Sequence, residues 1–482
     1  MLMYCLEGFM LLSLFEYGLV VVVLGLLVNY LVGKDKVLYC WVSTYECGWR
    51  VFVGCPIQQS VDIRYYVIVV LTALLYFGYD LMVDGLQFEL HLRCGYYVFY
   101  EGIDRLSLWL LGLTNLFVMY CFYFHMKWLR LCQDDSEYLF AFVLFQLVLN
   151  LFFVSMNLIA VYMFFEISLL PMSLFIGSFV KGSKINEALS WFYFTMFIGS
   201  VGTVAGLFLL GMFVDSFDMG TLLLLDYGSI RECLICTCMA SGFLLKVPTY
   251  PCTRWLLLAH SEGSTESSVL LGGLFLKLGA YGLIRVVLPL FTMGWAMISP
   301  VLSYVAVLTV VTVSIGLFSQ LDVKRVIACT SIVHMNYGLL GLILGTDCEH
   351  GCLMLFMSHG LVCSSLFCGS GWLFDQYGTK WIIGYLFNHS WIIMNFFFWL
   401  GNYGFPGSFG FVGELEILYT VFNASFWLGL VLSIGMFLGV AYSMMTYSKV
   451  LAGFFVGSDL TAHEYLFFKV FVLGILYFGI SV

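Results

Sequence analysis

The stretch KVPTYPCTRWLLLAHSEGSTESSVLLGGLFLKLGAYGLIR, residues 246–285, decides the fold. It joins the end of one apolar run, 230–250, to a second, 267–290, each about long enough to cross a bilayer as a helix. Yet Lys246 closes the first run and Lys277 stands inside the second. A charge in hydrocarbon costs at least ~2.5–3.5 kcal/mol, so each of these lysines needs a partner or a task. Pro248 and Pro251 follow directly after Lys246. Proline breaks a helix and frees backbone groups. At membrane depth such groups survive only where protein or a water-filled cavity satisfies them. Broken helices beside buried charges are how transporters build ion sites near the midplane.

The rest of the chain repeats this pattern. Apolar runs bounded by polar residues fall at roughly 11–32, 65–81, 106–126, 138–155, 157–179, 188–213, 230–250, 267–290, 300–319, 325–345, 351–374, 382–403, 426–447 and 465–481. A further apolar stretch at 409–422, after Gly404, Pro406 and Gly407, reads as the second half of an interrupted twelfth helix. The expected fold is therefore an all-α polytopic membrane protein of about fourteen transmembrane helices, some of them discontinuous. Composition agrees: 62% of the 482 residues are hydrophobic and 10% charged, against roughly a quarter charged in soluble domains. The net charge of -9, with no basic stretch, excludes nucleic-acid binding. The 16 cysteines are scattered through apolar runs and read as small hydrophobes. Cys233, Cys236 and Cys238 cluster, but no histidine stands near them in sequence, so no metal site is expected.

Isolated charges mark four spans. Glu166 is the only charge between Glu137 and Lys181, and Pro171 follows it. Lys246 and Arg254 are the only charges between Glu232 and Glu262, and Lys277 and Arg285 the only ones between Glu266 and Asp322. Glu414 and Glu416 stand alone between Lys380 and Lys449, with Pro406 before them. His260, His334 and His359 fall in or near spans of the same bundle. An imidazole titrates near neutral pH and passes protons between its two nitrogens, so these are candidate relay links.

Orientation follows from the loops. Alternate loops hold Lys34, Lys36, Arg50, Arg64, Lys127, Arg130, Lys181, Lys184, Lys324, Arg325, Lys380 and Lys449. The opposite loops are acidic, with Asp84, Asp104, Asp215, Asp218, Asp226 and Asp347. Excess Lys/Arg marks the cytoplasmic or matrix side. Lys181 and Lys324 are thus expected in matrix-side loops, Asp218 and Asp347 opposite, and Lys324 is expected to have no part in transport. No Lys or Arg precedes Lys34, which fits insertion where the chain is made, in a bacterial inner membrane or inside an organelle.

Several motifs together resemble the antiporter-like membrane subunits of respiratory complex I. They are GIDRLSL from Gly102, FFEISLLP ending at Pro171, the opening stretch from Lys246 to Arg285, His334-Met335, SHGL from Ser358, and FPGSFGFVGELEIL from Phe405, in that order. The resemblance covers about residues 100 to 450. It implies two inverted five-helix repeats, over helices 4–8 (138–290) and 9–13 (300–447). Helices 1–3 (1–137) would precede them and helix 14 (448–482) would follow. It implies a Glu166–Lys246 pair, a central Lys277, histidine links at His334 and His359, and a terminal acid at Glu414. A Glu at that last position resembles the subunit 4 branch, where the related subunits 2 and 5 typically carry Lys. The family's usual H-x-W after the proline break reads Thr253-Arg254-Trp255 here, its usual Pro reads Leu257, and its E-x-P reads Glu262-Gly263-Ser264.

The function implied is proton translocation within NADH:ubiquinone oxidoreductase, in the mitochondrial inner membrane, coupled to quinone reduction elsewhere in the complex. The chain itself would carry no cofactor. NADH, FMN, iron–sulfur clusters and ubiquinone are expected on partner subunits, since no GxGxxG or credible Cys ligand set appears. Partners would be other membrane-arm subunits, including subunits 2 and 5, and membrane lipids. In the implied scheme Glu166 holds a proton on Lys246. Withdrawing the carboxylate leaves a buried charge that passes its proton on through Lys277 and the histidines to Glu414. The alternatives are a sodium/proton antiporter complex subunit, which shares fold and motifs, and a scaffold of the membrane arm that has lost pumping.

Overall fold

The computed structural model describes residues 88–94, 97–128, 135–177, 184–214, 216–225, 227–345, 348–378 and 389–451. The expected spans 11–32, 65–81 and 465–481 lie outside them, as do Lys181 and Asp347. Two short strands, β1 (Phe88–Cys94) and β2 (Tyr97–Ile103), pair where the sequence suggested only a loop. The other regular elements among the described residues are helical, because in lipid a helix satisfies its own backbone groups.

Helices α1 (Arg105–Trp128) and α2 (Asp135–Val154) belong to one compact unit. Within it, polar side chains tie the pair together: Ser107 Oγ donates to the Phe153 carbonyl at 2.8 Å and Gln146 Nε2 to Asn115 Oδ1 at 2.7 Å. From Ser155 onward the chain forms a second unit, which holds every candidate site residue.

That unit contains α3 (Leu158–Ile167), α4 (Leu169–Gly177), α5 (Ile185–Gly211), the short α6 (Met219–Leu222), α7 (Ser229–Lys246) and α8 (Arg254–Glu262). Then come α9 (Thr265–Leu290), α10 (Thr292–Leu317), α11 (Val323–Leu344), α12 (Glu349–Tyr377), α13 (His389–Asn402), α14 (Phe409–Ala424) and α15 (Phe426–Leu451). Each expected span that falls on described residues is a helix. Among the described residues, six of these helices, together with α3 and α4 taken as one segment (Leu158–Gly177), are long and apolar enough to cross a membrane.

Burial sorts them into layers. The apolar windows of α9, α11 and α12 are 89%, 94% and 89% buried inside the chain, whereas those of α5, α10 and α15 are only 33%, 28% and 28% buried. The first three form the centre, and they are the helices that carry Lys277, His334 and His359. The outer three present Phe, Met and Val side chains outward, such as Phe197, Phe208, Met297 and Phe437. Close approach comes from small residues: a Cβ on Gly199 of α5 would lie 3.1 Å from Gly242 Cα of α7, leaving no room for a side chain.

Candidate functional site

Three interruptions position the charges. The first follows Lys246. Helix α7 stops there and α8 resumes at Arg254, so Pro248 and Pro251 lie in a non-helical link. Its freed backbone groups meet side chains from the central helices and their neighbours. Asn336 Nδ2 of α11 donates to the Pro248 carbonyl at 3.1 Å, and the Tyr250 N–H donates to Thr309 Oγ1 of α10 at 2.9 Å. The second lies at Ser168, between α3 and α4, where the hydroxyl donates to the Phe165 carbonyl at 2.6 Å. Pro171 sits in the first turn of α4, where a missing N–H costs no helical bond. The third separates α13 from α14. Gly404 (φ 60°) and Gly407 (φ 99°) take backbone conformations that disfavour side chains, and a Cβ on Gly404 would strike the Glu414 carboxylate.

Lys246 is 1% exposed and ends α7 against the Ser168 joint. Its Nζ donates to the Phe165 carbonyl at 3.0 Å and to Ser168 Oγ at 3.4 Å. The ammonium also lies 3.2 Å from the centre of the Phe165 ring and 4.7 Å from that of Phe275. Carbonyl, hydroxyl and ring faces thus replace water around a buried cation. Glu166, half-buried one residue beyond Phe165, acts on Lys246 through its field, while these hydrogen bonds go to its neighbours. Gly279 of α9 packs on the stem, where an added Cβ would come 3.1 Å from Lys246 Cβ. Lys246 therefore abuts the helix that carries Lys277.

From Lys277 titratable groups follow one another toward Glu414. Helix α9 widens into π-turns at Leu271–Phe275 and Leu283–Val287, on either side of Lys277. Such turns are rare and gather at functional sites. Lys277 Nζ donates to the Gly272 carbonyl inside the first of them at 2.7 Å. It also stands 2.8 Å from His359 Nδ1 of α12. The His359 and His334 rings are 5.8 Å apart between centres. His334 Nδ1 in turn lies 3.4 Å from Glu414 Oε1, and its Nε2 is 3.2 Å from the Asn402 carbonyl at the end of α13. Lys277, His359 and Glu414 are all buried, and His334 is nearly so. Four residues far apart in sequence form one line of titratable groups. Chemically it can hold a proton and move it in steps.

The structure also adds residues that sequence reasoning missed. Lys324 does not sit in a loop: it lies in the first turn of α11, is 6% exposed, and donates to the Gly263 carbonyl at 3.1 Å. The alternation of basic and acidic loops put it in a loop, since a position along the chain does not show that its side chain turns inward. Glu232, buried in the first turn of α7, accepts from the Met293 and Gly294 N–H groups at 2.8 and 3.1 Å and so caps α10. Arg254, next to the Thr253 departure from the family pattern, pairs with Glu187 at 2.7 Å and covers the Trp191 ring. Among the described residues, no three His, Cys, Asp or Glu side chains converge as metal ligands.

The family described as NADH:quinone oxidoreductase/Mrp antiporter, TM, matches residues 155–439, the segment that contains all six line and pair residues. The NADH-ubiquinone oxidoreductase chain 4 of Marchantia polymorpha is 33% identical over 399 residues, covering 79% of each chain. The NADH-quinone oxidoreductase subunit M of Rickettsia prowazekii is 31% identical over 396 residues, covering 79% of this chain and 80% of that one. A chain of respiratory complex I from Thermus thermophilus has the same fold, with a TM-score of 0.78 at 24% identity over 86% of this chain and 90% of that one. The buried lysines, the histidine links and the broken helices therefore stand in a chain that belongs to the NADH:quinone oxidoreductase/Mrp antiporter transmembrane family, among the antiporter-like subunits of complex I most similar to chain 4.

Proposed function

We propose that this chain is a proton-translocating subunit in the membrane arm of NADH:ubiquinone oxidoreductase. The observation that carries the proposal is the line Lys277–His359–His334–Glu414, with contacts of 2.8 and 3.4 Å at its two ends and its first three members on the most buried spans. Lys246 and Glu166 form the input pair. A change in their separation, driven from elsewhere in the complex, alters how well the Lys246 ammonium is held and so launches a proton along the line. Glu414 is the exit acid, set against a helix break where Gly404 leaves room for its carboxylate.

The two broken helices support an arrangement as inverted repeats, 138–290 and 300–447. Each half has an interruption, α7/α8 or α13/α14, beside one buried charge. The chain lies in the mitochondrial inner membrane with its Lys-rich loops in the matrix, next to the related subunits 2 and 5 and to lipid. NADH, FMN, iron–sulfur clusters and ubiquinone belong to partner subunits. The plant chain-4 relative and the loop alternation support this placement.

The test is isolation of the native complex that holds the chain, with its mass and its flavin and iron content measured. The proposal requires a flavin- and iron-containing assembly that oxidises NADH. A smaller, flavin-free complex that exchanges sodium for protons would establish the antiporter reading instead.

A further inference from the structure

His260 has no role in the line just described, yet it is one of the most buried polar groups of the chain. It is 0% exposed, and neither ring nitrogen has a hydrogen-bond partner. Its ring lies flat on Phe367 of α12, with 4.4 Å between centres and 10° between planes. A phenylalanine would fill the same space without burying two polar atoms. Two lysines also bond to residues near it.

The first is Lys324. Its Nζ donates to the Gly263 carbonyl at 3.1 Å, and Gly263 caps α8, the helix whose last turn carries His260. The second is Lys277. Its acceptor, the Gly272 carbonyl, belongs to a residue where an added Cβ would lie 3.5 Å from His260 Cε1. Both cations act electrostatically on the ring. Hydroxyls line the same region: Ser267 and Ser268, both buried, donate to the Ser264 carbonyl at 2.8 and 2.9 Å, and Ser268 Oγ reaches the His260 carbonyl at 3.4 Å. Buried water needs two to four polar partners, and these groups supply them. Lys324 itself is next to the surface, since its neighbours Asp322 and Arg325 are paired and partly exposed.

We infer that Lys324 and His260 form a branch that brings protons from the Lys-rich end of the bundle to Lys277. A proton from water reaches the Lys324 amine. It passes to one nitrogen of His260, and the proton on the other nitrogen leaves for Lys277, so the imidazole returns to its neutral form. The branch refills the line after each release through Glu414. It rests on the proton-translocating function proposed above.

The test uses the assembled complex in sealed vesicles, measuring protons moved per NADH oxidised. His260→Phe keeps the stack on Phe367 and removes only the titratable nitrogens; His260→Gln is the second variant if Phe impairs assembly. Lys324→Arg keeps the charge and the bond to Gly263 but cannot release a proton near neutral pH. Lys277→Met is the control. The expected result is assembled complexes in which His260→Phe and Lys324→Arg each slow pumping about 100-fold or more, as Lys277→Met does. A purely structural role predicts that Lys324→Arg behaves as wild type. Wild-type pumping in either branch variant, with Lys277→Met inactive, overturns the branch and leaves the line standing. Wild-type pumping in Lys277→Met overturns both.

Discussion

Replacing His359 with Gln separates proton transfer from packing. The ring nitrogen Nδ1 stands 2.8 Å from Lys277 Nζ, and the ring centre lies 5.8 Å from that of His334. Gln is close in size and still offers an oxygen to the Lys277 ammonium, but an amide cannot take up one proton and release another. With His359 gone, the next titratable group is His334, beyond the reach of a direct hydrogen bond from Lys277. A positioned acid–base group contributes ~10²–10⁴-fold to a proton-transfer step. At 1.36 kcal/mol per tenfold, that is about 3–5 kcal/mol on the barrier. The pumping rate of His359→Gln should therefore fall to about 1% of wild type or lower, while assembly on native gels stays normal. His359→Leu removes the acceptor as well. Losing one charge-assisted hydrogen bond costs a further ~1.5–3 kcal/mol, so the Leu variant should also lower thermal stability. The assay is acidification of sealed vesicles, with uncoupled NADH:quinone reductase activity measured in parallel. Wild-type pumping in a fully assembled His359→Gln complex would refute the line as a path.

Other substitutions probe the remaining parts. Glu166→Gln keeps a hydrogen-bonding side chain but removes the field that acts on Lys246; pumping should drop about tenfold or more in an assembled complex, and unchanged pumping would leave the pair purely structural. Gly404→Ala forces a side chain into a left-handed position against the Glu414 carboxylate. It should destabilise the α13/α14 break by ~1–3 kcal/mol and impair release, read from thermal unfolding and from pumping; an unaffected variant would show that the break tolerates a Cβ. Asn336→Leu strips the Pro248 carbonyl of its donor. It should cost ~1–3 kcal/mol in thermal unfolding of the complex, and an unchanged unfolding curve would mean that another group satisfies the break.

Much of the architecture was legible because lipid imposes a coarse code. Runs such as 188–213 and 300–319 are helices because nothing else satisfies a backbone in hydrocarbon, and isolated charges such as Glu166 and Lys277 stand out against them. The interruptions at Pro248–Pro251 and Gly404–Gly407 were equally visible, since proline and glycine act locally. What the sequence hid depends on side-chain direction and on contacts across the bundle. Lys324 looked like a loop lysine because its position along the chain says nothing of where its ammonium turns. Glu166 and Lys246 read as a contact pair, yet the Ser168 joint offers the ammonium a carbonyl and a hydroxyl instead. The π-turns around Lys277 have no local signal beyond Gly272 and Gly273, and Asn336 gives none of its role at the proline break.

The central claim is that protons cross the membrane through this chain's buried line. The most direct measurement is the number of protons translocated per NADH oxidised by the reconstituted complex carrying Lys277→Met, which removes the charge at the head of the line and keeps its bulk. The account predicts an assembled complex whose proton yield falls well below wild type. A Lys277→Met complex that assembles and moves as many protons per NADH as wild type would contradict it.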